Sequence, residues 1–282
     1  MIVPGSSSQS LAAALSSELD RPLARVEFER FPDGELLASV PKIETDSAVI
    51  VASTTSSDDH IELLQLQDAL RESGVEEITT LMPYMGYGRQ DSAFEPGQPI
   101  SARAVARAIS TGTDRVLTVS PHEGSVVEYF SVPAEALSGA SVLADPLSDL
   151  ADPVFLSPDE GAIHIAEQVR DAYGKGEVDH FEKVRHSGSE VEITPSDVVV
   201  ENRDVVIADD IIATGSTMSE AISALENPKR VFVTCVHPML AANARTKLAR
   251  AGVEAVYGTD TIERAESAVS VAPVIAEALR RK

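Results

Sequence analysis

Two adjacent carboxylates at the end of an apolar run are the residues of this chain best placed to do chemistry. Val205-Val206-Ile207-Ala208 reads as a buried strand that delivers Asp209 and Asp210. The loop Ile211-Ile212-Ala213-Thr214-Gly215-Ser216-Thr217 follows, and a helical period opens at Met218. Backbone N–H groups of such a loop, with a helix N-terminus behind them, cradle a phosphate without a lysine. Thr214, Ser216 and Thr217 add hydroxyl donors, while paired carboxylates suit the vicinal hydroxyls of a sugar, whose O–H groups want anionic acceptors. Helix capping around Gly215 would need only one such residue and leaves the two aspartates unexplained. Other phosphate loops fail: Gly174-Lys175 runs into Gly176, which breaks a Walker A pattern, and Gly86–Asp91 lacks the last glycine of a dinucleotide fingerprint.

Further clusters carry chemistry of the same kind. In Phe31-Pro32-Asp33-Gly34-Glu35 the aromatic ring can stack on a base and the acids can accept from an amino group or a ribose; alone, the segment reads as an Asp-Gly turn. In Pro83-Tyr84-Met85-Gly86-Tyr87-Gly88-Arg89-Gln90-Asp91 the glycines admit close backbone approach, and Arg89 offers a fork for a polyphosphate. His122-Glu123 and Asp159-Glu160 each follow a predicted strand, although Asp159 alone reads as the cap of a helix opening near Gly161. Lys183 and Arg185 alternate beside Ser187-Gly188-Ser189, so an extended segment puts both cations on one side, and the glycine suggests a lid.

These residues need elements to position them, and the pattern supplies a consistent set. Short apolar runs at Ala48–Ala52, Ile78–Met82, Arg115–Val119, Pro153–Leu156, Val205–Ala208 and Val231–Val236 read as strands. Helical periods at His60–Ser73, Ala102–Ser110, Ala162–Ala172, Met218–Leu225, Ala241–Ala251 and Val274–Arg281 lie between and after them. Such alternation predicts βαβ units and parallel sheets. The pattern restarts after Ser138–Pro153, which predicts two similar α/β domains, residues 1–145 and 146–282. In open α/β sheets ligands bind beyond the carboxyl ends of strands, where His122, Asp159 and Asp209-Asp210 fall.

Composition narrows the setting. The 282 residues, 43% hydrophobic and 24% charged, describe a folded chain of about two domains. One cysteine, Cys235, leaves no disulfide framework or multi-cysteine zinc site. No apolar run spans a membrane and no basic leader opens the chain, so a cytoplasmic protein is expected. Asp and Glu total 45 against 23 Lys and Arg, a net charge of −22, which repels nucleic acid. The surplus reads as a surface adapted to high salt, where screening relieves carboxylate repulsion. Lysine is scarce, at positions 42, 175, 183, 229, 247 and 282 only.

The Asp-Asp-Ile-Ile-x-Thr-Gly-x-Thr stretch resembles the ribose-phosphate loop of the type I phosphoribosyltransferase fold. Taken with Phe-x-Asp-Gly-Glu, Gly-Tyr-x-Arg-Gln-Asp, Ser-Pro-Asp-x-Gly and Lys-x-Arg in that order, the chain resembles the ribose-phosphate diphosphokinase family from Gly5–Leu19 to Val269–Leu279, its archaeal-type members most. The resemblance implies two type I phosphoribosyltransferase-like domains and transfer of the diphosphoryl group of ATP to the C1 hydroxyl of ribose 5-phosphate, with magnesium. It implies that Phe31, Asp33, Gly34, Glu35, Arg89 and Gln90 bind ATP, and that His122 and Asp159 contact magnesium or its waters. It further implies that Asp209 and Asp210 hold the ribose, that Ala213, Thr214, Gly215, Ser216 and Thr217 hold the 5-phosphate, and that Lys183 and Arg185 act on the transferred group. A homo-oligomer is implied as well. Ala213 sits where many members of that family carry a polar residue, and Ser92–Pro99 differs from the more basic segment common in bacterial members. A phosphoribosyltransferase would lack the ATP motifs, and a non-catalytic regulatory relative would be expected to lose Lys183 and Arg185.

Overall fold

The computed structural model of the chain describes residues 1–41, 43–187, 190–195 and 198–281, with the backbone alone for 182–187 and 190–195. Gly188 and Ser189 of the expected lid lie outside the described residues. The chain forms two compact units. One comprises Met1–Ser138 with Asp260–Glu263 and Ser270–Lys282, the other Gly139–Thr259 with Arg264–Val269.

In the first unit, β1 (Ile2–Pro4), α1 (Gln9–Leu19), β2 (Glu27–Arg30), β3 (Leu36–Ser39), β4 (Ser47–Val51), α2 (Ser57–Glu72), β5 (Glu77–Met82), α3 (Ser101–Ile109), β6 (Arg115–Val119) and β7 (Ala134–Leu137) follow one another. Five strands form a wholly parallel sheet in the order β1-β4-β5-β6-β7. Both faces are covered, so β4 and β5 read as near-continuous apolar runs. Helix α2 starts on a capping box in which Ser56 Oγ accepts from the Asp59 N–H and Asp59 accepts from the Ser56 N–H, and it buries Leu63, Leu66 and Leu70 completely. β2 and β3 stand apart as an antiparallel ribbon.

The second unit carries β8 (Val154–Ser157), α4 (Ile163–Tyr173), β9 (Glu177–Ser187), β10 (Glu190–Pro195), β11 (Asp204–Ile211), α5 (Ser216–Ser223), β12 (Arg230–His237), α6 (Ala244–Arg250), β13 (Ala255–Thr259) and β14 (Ser267–Val269). Seven strands run in the order β10-β9-β8-β11-β12-β13-β14, parallel except for the β9–β10 pair. Val205, Ile207 and Val233 of β11 and β12 are fully buried in its core. Asp204 pairs in register with Arg230, whose guanidinium donates to both carboxylate oxygens at 2.9 and 2.6 Å. That guanidinium, with the Ala151 N–H at 2.6 Å, holds Asp204 below the usual carboxylate range despite its full burial.

The two units part between Ser138 and Gly139 rather than at residue 145, and the C-terminal helix Ala272–Arg280 belongs with the first. It lies against α1, each burying its apolar stripe: Leu11, Ala12 and Leu15 on one, Ile275, Ala276 and Leu279 on the other. Arg280 adds a bond to the Glu18 carbonyl at 2.5 Å.

Candidate active site

The paired aspartates occupy the carboxyl end of β11, within the strand rather than beyond it. Burial, and after it the Asp210 carboxylate, push Asp209 well above the usual carboxylate range, and Asp159 acts in the same direction. Among the described residues, the charged groups that shift Asp209 are both acids, Asp210 and Asp159.

The loop after it is built by close backbone contact. Ile212 N–H donates to the His237 carbonyl at 3.2 Å, and the Ala213 carbonyl accepts from Ala241 N–H at 2.8 Å. Gly215 sits at φ +71°, and a Cβ there would meet the backbone of Ala244 at 3.3 Å, so glycine lets the loop and α6 approach. It is also the cap residue of α5, where it offers no side-chain acceptor to the first N–H groups. The Thr214 and Ser216 hydroxyl oxygens lie 3.4 Å apart. The Thr214 and Ser216 hydroxyls thus stand at the N-terminal end of α5.

Asp159 follows β8, and its carbonyl accepts from the buried Ser157 hydroxyl at 2.7 Å. Its side chain makes no capping bond to the helical turn Glu160–Ala162, so the capping role suggested by its position is not what the structure shows. β8 and β11 are parallel, which sets Asp159 and Asp209 on one edge of the sheet. Lys183 and Arg185 are in β9, extended as expected and opposite Ile193 and Val191 of β10.

In the first unit, residues 31–35 form the exposed turn between β2 and β3. Phe31 N–H bonds the Glu35 carbonyl at 2.8 Å, Gly34 takes φ +96°, and Asp33 Oδ1 accepts from the Glu35 N–H at 3.2 Å. Asp33 therefore shapes its own turn, while the Phe31 ring is 39% exposed and available for stacking. Arg89 and Gln90 follow β5 in a tight turn. Tyr87 holds φ +62° there, an uncommon conformation for a bulky residue. A Cβ on Gly86 would fall 2.0 Å from the Thr54 carbonyl oxygen, so no other residue fits. Arg89 is exposed, whereas Gln90 uses its amide within the loop, donating to the Pro99 carbonyl at 3.1 Å and accepting from Ser101 Oγ at 2.7 Å. The departing segment Ser92–Pro99 is exposed and irregular.

These two turns share an anchor. Arg30 donates to the Gly34 carbonyl at 2.6 Å and pairs with Asp58, while Tyr87 Oη and Ser57 Oγ lie 2.8 Å apart. Ser57 and Asp58 are the first residues of α2. The sequence alone does not single out Arg30, reads Tyr87 only as part of the Arg89 loop and gives His60 no functional role; here His60 meets the Tyr87 ring at 5.3 Å. Nothing in their spacing marks them, since the pairing joins segments about 30 residues apart. His122 follows β6 beyond Ser120, which sits at φ +36°, on the same sheet edge as the Arg89 turn because β5 and β6 are parallel.

Two largely parallel sheets with polar loops at the carboxyl ends of their strands define an α/β protein of two domains. Residues 1–112 match the model of the N-terminal domain of ribose phosphate pyrophosphokinase, and residues 129–272 that of the phosphoribosyl transferase domain. The ribose-phosphate pyrophosphokinase of Halobacterium salinarum is 65% identical over 281 residues, covering 99% of this chain and 100% of the relative. That of Methanopyrus kandleri is 44% identical over 95% and 94%. The crystal structure of phosphoribosylpyrophosphate synthetase from Mycobacterium smegmatis superposes with a TM-score of 0.84 at 26% identity, over 99% of this chain and 97% of that one. The chain belongs to the ribose-phosphate pyrophosphokinase family.

Proposed function

We propose that the chain transfers the diphosphoryl group of ATP to the C1 hydroxyl of ribose 5-phosphate, giving 5-phosphoribosyl 1-diphosphate and AMP for nucleotide synthesis. The observation that carries this reading is the Asp209–Asp210 pair leading into the Gly215 loop, on a chain matched end to end by family members.

The chemistry is mainly positioning and charge stabilisation, because the C1 hydroxyl attacks the β-phosphorus in line and charge builds on the transferred group and on departing AMP. Asp209 and Asp210 accept from the ribose hydroxyls and so turn the C1 hydroxyl toward ATP. Residues 213–217 hold the 5-phosphate through N–H groups and hydroxyls. Phe31 stacks on the base, Glu35 and Asp33 face its polar edge, and Arg89 forks onto the phosphates while Gln90 keeps its turn in shape. Lys183, with Arg185 two positions away, supplies cationic charge at the reacting phosphates.

Magnesium fits this donor set. Among the described residues no group of three or more His, Cys, Asp or Glu side chains could hold a metal alone. A magnesium ion held by ATP oxygens and waters asks for only one or two protein carboxylates. Asp159 and His122 would meet the ion or its waters. When bound, it neutralises phosphate charge.

Among the described residues no helix is long and apolar enough to cross a membrane. Cytoplasmic residence and a saline working environment belong to the same proposal, the latter supported by the acidic surplus, and a homo-oligomer belongs to it through the family resemblance alone. The test is AMP release by purified protein with ATP and magnesium, with and without ribose 5-phosphate, at low and at molar salt. AMP formed only when the sugar is present supports the reading; no AMP at any salt from folded protein overturns it.

A further inference from the structure

We propose that Lys247 is a positioning residue for ribose 5-phosphate: it fixes the Ser216 hydroxyl as a donor to the 5-phosphate and sets a cation behind it. The inference rests on the reading of residues 213–217 as the phosphate loop.

Lys247 lies in α6, 31 residues beyond Ser216, and its Nζ donates to Ser216 Oγ at 2.6 Å. An ammonium group has donors only, so Ser216 Oγ must accept and its own proton must point elsewhere. Thr214 Oγ1, at 3.4 Å, is too far for a good O–H···O bond. Ser216 can then turn its proton from this long contact to a ligand oxygen, and the neighbouring ammonium polarises the hydroxyl that gives it.

The placement of Lys247 is enforced by backbone. Leu240 N–H donates to the Ile212 carbonyl at 2.9 Å and Ala241 N–H to the Ala213 carbonyl at 2.8 Å, strapping the segment before α6 along the loop. Gly215 admits the backbone of Ala244 at 3.3 Å, and Lys247 follows one helical turn later, half-buried. Residues 213–217 contain no cation, Asp209 and Asp210 precede them, and the whole chain carries −22. A dianionic phosphate entering such surroundings gains from a hydroxyl donor that Lys247 orients and polarises.

The test is steady-state kinetics of Lys247→Met, Lys247→Arg, Ser216→Ala and the double variant, with folding followed by circular dichroism. Losing a charge-assisted contact should raise KM for ribose 5-phosphate about tenfold in Lys247→Met, leaving KM for ATP within about twofold. Lys247→Arg should restore most of the affinity. Because Lys247 acts through Ser216, the double variant should stay within about twofold of Ser216→Ala. Lys247→Gln serves the same comparison if the methionine variant does not fold. An unchanged KM in Lys247→Met beside a raised one in Ser216→Ala overturns the proposal, as does an equal rise in KM for ATP or full additivity in the double variant. If Ser216→Ala and Thr214→Val both leave KM for ribose 5-phosphate unchanged, the phosphate-loop reading itself fails and the proposal falls with it.

Discussion

Asp204 and Asp209 occupy opposite ends of the same strand, β11, and are driven in opposite directions. Arg230 holds Asp204 below the usual carboxylate range, whereas burial and Asp210 push Asp209 above it. Five residue steps of about 3.3 Å each separate them. At the first end a guanidinium faces the carboxylate, and at the second two carboxylates stand side by side. Each carboxylate at the second end is oriented by the next N–H, Asp210 donating to Asp209 Oδ1 at 2.9 Å and Ile211 to Asp210 Oδ1 at 2.7 Å. Under the proposed function, this like-charge pair is held ready for the ribose hydroxyls.

Asp209→Asn should therefore stabilise the free protein while abolishing its activity. A raised folded-state pKa means a stability cost that is fully present above that value and fades as pH falls toward the unfolded carboxylate value of about 4. The variant should melt above the parent at pH 8 by differential scanning calorimetry, with the gap closing in acid. Turnover should drop by roughly two orders of magnitude or more.

Asp204→Asn should show the reverse signature. Its depressed pKa contributes stability above the unfolded value, and that contribution is lost as pH falls below about 4. Breaking this pair should cost about 3 kcal/mol in urea unfolding at pH 7, less than for a fully enclosed pair because the Arg230 side chain is 34% exposed. Activity per folded molecule should be retained.

Gly86→Ala should move the turn that carries Arg89. A Cβ 2.0 Å from the Thr54 carbonyl oxygen cannot be accommodated by side-chain rotation, since the obstacle is backbone. KM for ATP should rise by roughly tenfold or more, with KM for ribose 5-phosphate far less affected, in initial-rate measurements that vary each substrate in turn.

Lys183→Ala should lower kcat by roughly two to three orders of magnitude, with both KM values and the circular dichroism spectrum little changed. Arg185→Ala should act in the same direction.

Much of this architecture was legible before any coordinates. Strands β4, β5, β6, β11 and β12 are buried on both faces and so read as apolar runs, and the loop that β11 feeds stands out because paired aspartates and hydroxyls have no structural use there. The β2–β3 ribbon was not legible as strands: Glu27, Phe28, Glu29 and Arg30 are all exposed, so no core imposes a period. The C-terminal helix carries a clear apolar stripe, but its amphipathicity says nothing about which unit it will cover. Asp159 has the position of a cap and does not act as one. The pairings made by Lys247, Arg30 and Tyr87 were not legible because their partners are distant in sequence, and such pairings are settled by the fold.

The most direct measurement follows the β-phosphate. ATP labelled there, incubated with the protein, magnesium and ribose 5-phosphate, should give up its label to the sugar, with one AMP formed for each diphosphoryl group transferred. Formation of ADP with the label retained on the nucleotide, or no transfer by protein shown to be folded, would contradict the account.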